Sequence, residues 1–428
     1  MNRPDRLSRH IQMSLQNLPT NQSTCSIFKV PRGQRFVNER AYEPDILSIG
    51  PYHRGKDHLK MMEEYKKVYL QKFLQRRPEN SLTSYVAAMR GLEAQARRYY
   101  DQPVILGEDA FVEMLLLDGC FIIELICKPA TSEVQQGDQN DPVVGNLLIL
   151  SAVSYDILLL ENQLPFCVLL KLSSMAMPNE KVPFIDKASG FFKGMYPGSR
   201  LERNNTISSH ECKHLLDLVY HNWLLPSGKE AKSTNFELIR SARELKEVGI
   251  KFGKQEESFG LFLGARFEKD TIKIPHLKID DTTESLFRNL IAYEQCSQRQ
   301  HLYVTDYITL MDCLINTPED VRILRHRGII ENRLGDDEMV CTLFNKLGIN
   351  VVISERGRFY YGHLFKGVEK HCAQRRNVWL AKLWRNHFNS PWSLISFLAA
   401  LTLLLLTLLQ TVFTVMSYSK PDPKTGVK

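Results

Sequence analysis

The chain has 428 residues, enough for two or three domains of ordinary size, with 43% hydrophobic and 24% charged residues. Its net charge of +7 is unevenly placed: Lys366, Lys370, Arg375, Arg376, Lys382 and Arg385 face only Glu369, Lys420, Lys424 and Lys428 face only Asp422, and the rest is neutral. This argues against nucleic-acid binding, which calls for a basic patch on the folded body, and suits anionic lipid headgroups beside an apolar run.

Residues 1–24 are polar and read as a flexible N-terminal segment. They hold Arg3, Asp5, Arg6 and Arg9 without an apolar core, so no secretory signal is expected. Residues 25–388 read as one mostly helical domain. Its first part, 27–56, is punctuated by Pro31, Pro44, Gly50 and Pro51 and should be extended pieces and turns. Leu59, Met62, Tyr65, Tyr69 and Phe73 then recur at helical spacing, with Glu63 placed four before Lys67. A second helix is expected over 81–100. Two strongly apolar helices follow at 111–127 and 143–160, too short and too interrupted by acids to span a membrane. They suit the core of a large body.

Pro165 starts another element, and a Gly/Pro-rich loop is expected over 177–206. Helical patterns resume at 210–224 and 236–249, with Gly249 as a C-terminal cap. The period shifts towards two near 250–282, which predicts a small β-meander. Helices are expected at 284–297, 303–316, 318–327, 336–347 and 357–388. The fold class is therefore mainly α (α+β): a large helical body with a small β-meander and a C-terminal transmembrane helix over 390–418. A short tail, 419–428, follows. No charge occurs from Asn386 to Ser419, and a run of this length exceeds the roughly 20 residues that cross ~30 Å of hydrocarbon.

The runs YEP (42–44), SIGPYHRGK (48–56), MLLLDGCFIIELI (114–126), DILLLENQLPFCVL (156–169), RNLIAYEQ (288–295) and MDCLINTPEDV (311–321) resemble, in the same order, the plant domain-of-unknown-function family numbered 247. The similarity extends over about 27–416. It implies a plant, mostly membrane-associated protein without established catalytic activity, and some grass relatives are implicated in pollen self-incompatibility. It brings no active-site residues, and no catalytic, cofactor or metal residue is assigned from it.

Four constellations of residues carry candidate chemistry. His210-Glu211-Cys212-Lys213-His214 matches HExxH, which on a helix places two imidazoles one turn apart for zinc, with Glu211 as base. A third ligand would have to be Glu230 or Glu237, since Tyr220 stands where the metzincin histidine belongs. A membrane-anchored zinc hydrolase is thus the alternative reading. Asp118, Glu124, Asp156 and Glu161 interrupt apolar runs and read as helix caps or core partners for arginines such as Arg90, Arg97 and Arg98, with a carboxylate pair dividing acid and base roles as the other reading. His53-Arg54-Gly55-Lys56 gathers cations after a Gly-Pro turn and reads as a structural turn with Tyr52 packed inward, or as an anion site. Nine scattered cysteines without a CxxC pair read as reduced thiols.

The leading functional reading is a non-enzymatic, single-pass, tail-anchored recognition or signalling component. Its body is placed in the cytosol by the basic flank, and a protein partner is expected. The sequon at Asn204 would matter only for a lumenal body. Ser393, Ser396, Ala399, Ala400, Thr407, Gln410, Thr411 and Thr414 share one face of the terminal helix. That face could mediate self-association, or its hydroxyls could bond their own backbone.

Overall fold

The computed structural model describes residues 6–16, 25–128, 141–198, 208–224, 237–255, 263–297, 299, 301–354, 358–373 and 391–418. Helix α1 (Arg6–Gln16) lies in the segment read as flexible. Residues 25–31 run extended, Ile27 bridges Tyr100, and the short α2 (Arg32–Val37) and a 3-10 turn (Glu39–Tyr42) follow. From there to Lys56 the chain has no regular structure, although Ile27, Leu47 and Ile49 are completely buried.

The core is built on α3 (Lys60–Gln75), α4 (Leu82–Arg97), α5 (Glu108–Ile126), α6 (Leu147–Asp156) and α7 (Phe166–Ala176). Helix α5 is the hub, packed by α3, α4 and α7, and every residue from Phe111 to Ile126 except Glu113 is buried. Each fully buried Leu, Ile or Phe contributes about 1.5–3 kcal/mol, so this helix anchors the body. Gly119 permits the packing: a Cβ there would collide with Leu172 of α7. Helix starts follow local chemistry. Ser81 accepts from the Ser84 N–H at the head of α4, and Asn146 accepts from Leu148 and Ile149 at the head of α6.

The expected loop over 177–206 instead carries α8 (Phe184–Phe191). Phe184, Ile185 and Ala188 recur at helical spacing and are buried, so their apolar face outweighs the surrounding Gly and Pro signals. Helix α9 spans only Leu215–Leu224, and α10 only Ala242–Glu247. Gly249 takes φ +89 and closes α10 as expected, with the Ile250 N–H on the Leu245 carbonyl.

The β-meander is corrected. Strand β1 (Lys251–Lys254) pairs in parallel with β3 (Thr271–Ile274), and β2 (Arg266–Glu268) pairs antiparallel with the other edge of β3. Strand β3 takes the centre because Ile272 and Ile274 need burial, whereas β1 and β2 carry exposed charges suited to edges. Strand β4 (Leu277–Ile279) belongs to a second sheet, parallel with β5 (Ile330–Asn332), a strand the periodicity did not reveal.

Helices α11 (Thr283–Cys296), α12 (Tyr303–Leu314), α13 (Pro318–His326), α14 (Asp337–Leu347) and α15 (Gly362–Ala373) complete the body, close to their expected ranges. The rest of the expected 357–388 helix lies outside the described residues, as do Arg375, Arg376, Lys382 and Arg385. The last element, α16 (Pro391–Tyr418), contains Ile395–Met416, 22 residues long and apolar enough to cross a membrane. At 1.5 Å per residue that stretch is about 33 Å long. None of it is buried against the body.

Candidate functional site

The HECKH pentapeptide is not helical. Residues 208–211 form a turn, and α9 begins only after His214. His214 occupies the N-cap position, its Nδ1 accepting from the Asp217 N–H at 3.1 Å while its Nε2 meets the Ser26 carbonyl oxygen at 3.0 Å. The Asp217 carboxylate answers by accepting from the Lys213 N–H at 2.9 Å. This is the reciprocal logic of a capping box with histidine in the capping role. Both imidazole nitrogens are thereby engaged with backbone, and His214 is fully buried while His210 and Glu211 are exposed. The two imidazoles do not share a helical face, and Glu230 lies outside the described residues. Among the described residues no group of three or more His, Cys, Asp or Glu is arranged to hold a metal ion.

Burial pushes His214 down to about 4 and keeps it neutral near pH 7. A folded-state value below the ordinary 6.5 means stability is complete above that pH and is lost as pH falls towards 4. His214→Gln removes this dependence. Its destabilisation relative to wild type should therefore shrink by on the order of 2 kcal/mol between pH 7.5 and 4.5, read by denaturant titration at each pH. A pH-independent difference would contradict it. The comparison is made at each pH because Asp156, raised to about 6, and Asp306, raised to about 7, both by burial, titrate in the opposite sense.

Around His214 lies a buried polar cluster. Asp217 Oδ1 accepts from the Tyr293 hydroxyl at 2.6 Å and from Arg299 at 2.8 Å, and Arg299 stacks over the rings of Tyr220 and Tyr293. Tyr220 donates to Glu294, which also accepts from the Val304 and Thr305 N–H groups at the head of α12. Tyr220, in the metzincin histidine position, is thus part of a cap that joins α9, α11 and α12.

The four carboxylates of the apolar runs are structural, but their partners differ from the arginines expected. Arg90 pairs with Asp109 and Arg97 with Glu93. Glu124 pairs instead with Arg76, and Asp118 with Lys66. Asp156 accepts three backbone N–H bonds, from Asp45, Ile46 and Leu47, at 2.8–2.9 Å. Glu161 accepts from the Val30 N–H at 2.7 Å and pairs with Arg35 at 2.6 Å and Lys29 at 3.0 Å. Its burial would raise its pKa, but the Val30 and Arg35 bonds outweigh that and leave it lowered.

The next two residues extend the same clamp. Asn162 accepts from the Ile49 N–H at 2.6 Å and donates to the Leu47 carbonyl at 2.8 Å, while Gln163 accepts from the Leu216 N–H at 3.1 Å. The turn after α6 is therefore a row of buried side chains that supplies the irregular segment 30–50 with the backbone partners a sheet would otherwise provide. Asn162, Gln163, Lys66 and Arg35 were not singled out from sequence. The signal available was polar residues set directly against unbroken apolar runs, as in LLLENQLPF.

His53 belongs to this assembly. It is 1% exposed, its Nδ1 lies 3.0 Å from the Lys56 ammonium, and its Nε2 is 3.6 Å from Glu161. Lys56 also pairs with Glu43, and Arg54 lies 3.4 Å from Glu63. The cations of the HRGK turn are thus engaged by carboxylates, and Gly55 provides the turn with φ +87. Tyr52 stacks edge-on against Tyr100 and donates to Asp101 at 2.5 Å. The structural-turn reading describes this stretch. All nine cysteines are free thiols.

In α16 the Thr402, Thr407, Thr411 and Thr414 hydroxyls each donate to the carbonyl four residues earlier, at 2.7–2.8 Å. The helix's own backbone thus satisfies these donors.

A family model described as a plant protein of unknown function, DUF247, matches residues 27–406. UPF0481 protein At3g47200 of Arabidopsis thaliana is 33% identical, over 93% of this chain and 87% of its own length. Putative UPF0481 protein At3g02645 of the same plant is 21% identical, over 96% of this chain and 94% of its own. No solved structure matches.

Proposed function

We propose that this chain, which belongs to the DUF247 family of plant proteins of unknown function, is a membrane-tethered recognition or signalling component. In this reading it works without catalysis and holds its body on the cytosolic side. The observation that carries it is the contrast between body and terminal helix. The buried charged groups of the body serve to hold its own chain together, as Asp118, Asp156, Glu161 and Asp217 do. Helix α16 leaves a predominantly apolar 22-residue stretch with no protein cover, a surface that hydrocarbon would satisfy. The positive flank supports the orientation, since basic residues beside a span favour the cytosolic side.

The tether is tested on the full chain expressed in plant cells. It should stay in the pellet after alkaline carbonate extraction, and deletion of 391–418 should release a folded body into the supernatant. Protease added to sealed vesicles should digest the body. Release of the full chain by carbonate would remove the tether from the reading, and protection of the body would reverse its orientation. Recognition is tested by proximity labelling from the anchored body: a reproducible neighbour lost on deletion of 391–418 supports it, and labelling unchanged by the deletion counts against it.

A further inference from the structure

Outside these networks, among the described residues, a cleft of about 610 Å³ lies between α13 and the turn that joins α10 to β1. A volume in this range suits a small ligand. Its apolar floor is Ile250, Phe252 and Ile323, all buried. Its rim carries Lys246, Lys251, Arg322, His326 and Arg327, all exposed, with Glu319 as the single acid. The walls are held in register by Asp320 of α13, which accepts from the Arg243 N–H of α10 at 2.7 Å.

Two rim cations already have partners. Lys251 pairs with Asp270 at 2.8 Å, and Arg322 pairs with Glu319. Lys246 and Arg327 have no ion pair among the described residues. Cations at helix C-termini ordinarily complement the helix dipole, and α10 and α13 both end here. That role is largely filled by backbone. Gly249 (φ +89) and Gly328 (φ +68) close the two helices in the same way, with the Ile250 N–H on the Leu245 carbonyl and the Ile329 N–H on the Leu324 carbonyl. With those carbonyls bonded to backbone, Lys246 and Arg327 stand at the rim without an ion-pair partner among the described residues.

We propose that this cleft binds a compact ligand bearing at least two phosphate groups, held at its rim by Lys246 and Arg327. The chemistry is that of an inositol phosphate, whether free or as the headgroup of a phospholipid. The inference is independent of the tether reading, because a soluble ligand would serve it equally.

The test is calorimetry on the full chain in detergent micelles. The probes are inositol trisphosphate and a dioctanoyl phosphatidylinositol bisphosphate with the same headgroup. Both should bind, and Lys246→Glu/Arg327→Glu should weaken binding at least tenfold, with the thermal melt unchanged because both side chains are exposed. Lys246→Ala/Arg327→Ala should weaken it less. Lys60→Glu/Lys67→Glu, on the distant α3, should leave it unchanged. Tighter binding of the lipid assigns the site to a membrane headgroup, and equal binding assigns it to a soluble ligand. No binding of either probe, wild-type affinity in both cleft variants, or equal loss in the α3 variant would overturn the site.

Discussion

Gly50→Ala is expected to destabilise the body by about 3 kcal/mol or more. Three observations combine. Gly50 has φ +72, a region costing an L-residue about 1–2 kcal/mol. A Cβ there would lie 2.6 Å from the Gln163 carbonyl oxygen, a backbone atom that cannot swing aside as a side chain would. The Gly50 N–H also donates to Asp118 at 2.8 Å, so a shift that relieves the clash breaks a buried bond. Gly55→Ala is the control: φ is +87, yet nothing lies within 4 Å of its Cβ. It should cost only the conformational part, about 1–2 kcal/mol. Denaturant unfolding of the full chain in detergent would compare them, and equal losses for the two variants would refute the role of the close approach.

Lys66→Met is expected to cost about 3–5 kcal/mol, the usual penalty for removing one member of a buried ion pair. Lys66 is 0% exposed, ion-paired with Asp118 and hydrogen-bonded to Glu63 and the Ser48 carbonyl. Without it, Asp118, whose pKa burial already raises, has only the Gly50 N–H in the centre of α5 and must either hold an unpaired charge or take up a proton. Asp118→Leu should cost less, because the Lys66 ammonium keeps Glu63 and the Ser48 carbonyl while the Gly50 N–H loses its acceptor. The double variant should cost at least 1 kcal/mol less than the sum, because it strands no charge. Recovery should be incomplete, since the Gly50 N–H and the Ser48 carbonyl then lose their partners. Additive losses would show that the pair does not act as a unit.

The helical body was legible because its signals are local. The Leu59–Phe73 spacing marks α3, and the helix expected over 318–327 is α13, which opens on Pro318 behind a Thr317–Asp320 capping box. Local spacing misled where the partner is distant. Glu63 does not pair with Lys67, which takes Glu64; it bonds Lys66, whose ammonium turns inward to Asp118. HECKH looked helical by composition, but Ser26, 188 residues earlier in the chain, holds His214 at the helix cap. The parallel β1–β3 pairing and the β4–β5 sheet also depend on long-range contacts. Of the candidate site, the acids of the apolar runs stood out because charge interrupts burial. Their partners did not, since Lys66 and Arg35 sit in polar stretches that read as surface. The cleft between α10 and α13 needs two segments some 70 residues apart, and nothing in either marks the other.

The irregular segment before Lys56 also carries a consequence for synthesis. Its backbone bonds lead to side chains made much later: the Ser26 carbonyl to His214, and the Ala41 carbonyl to Asn289, 248 residues further on. At 5–20 residues per second, the ribosome needs roughly 12–50 s to deliver Asn289 after Ala41 has been joined. Throughout that interval Ile27, Leu47 and Ile49 have no completed core to enter. The leading part of the body therefore cannot complete its hydrogen bonds until Asn289 has been made, long after Asp156, Glu161 and Asn162 are in place to hold most of it.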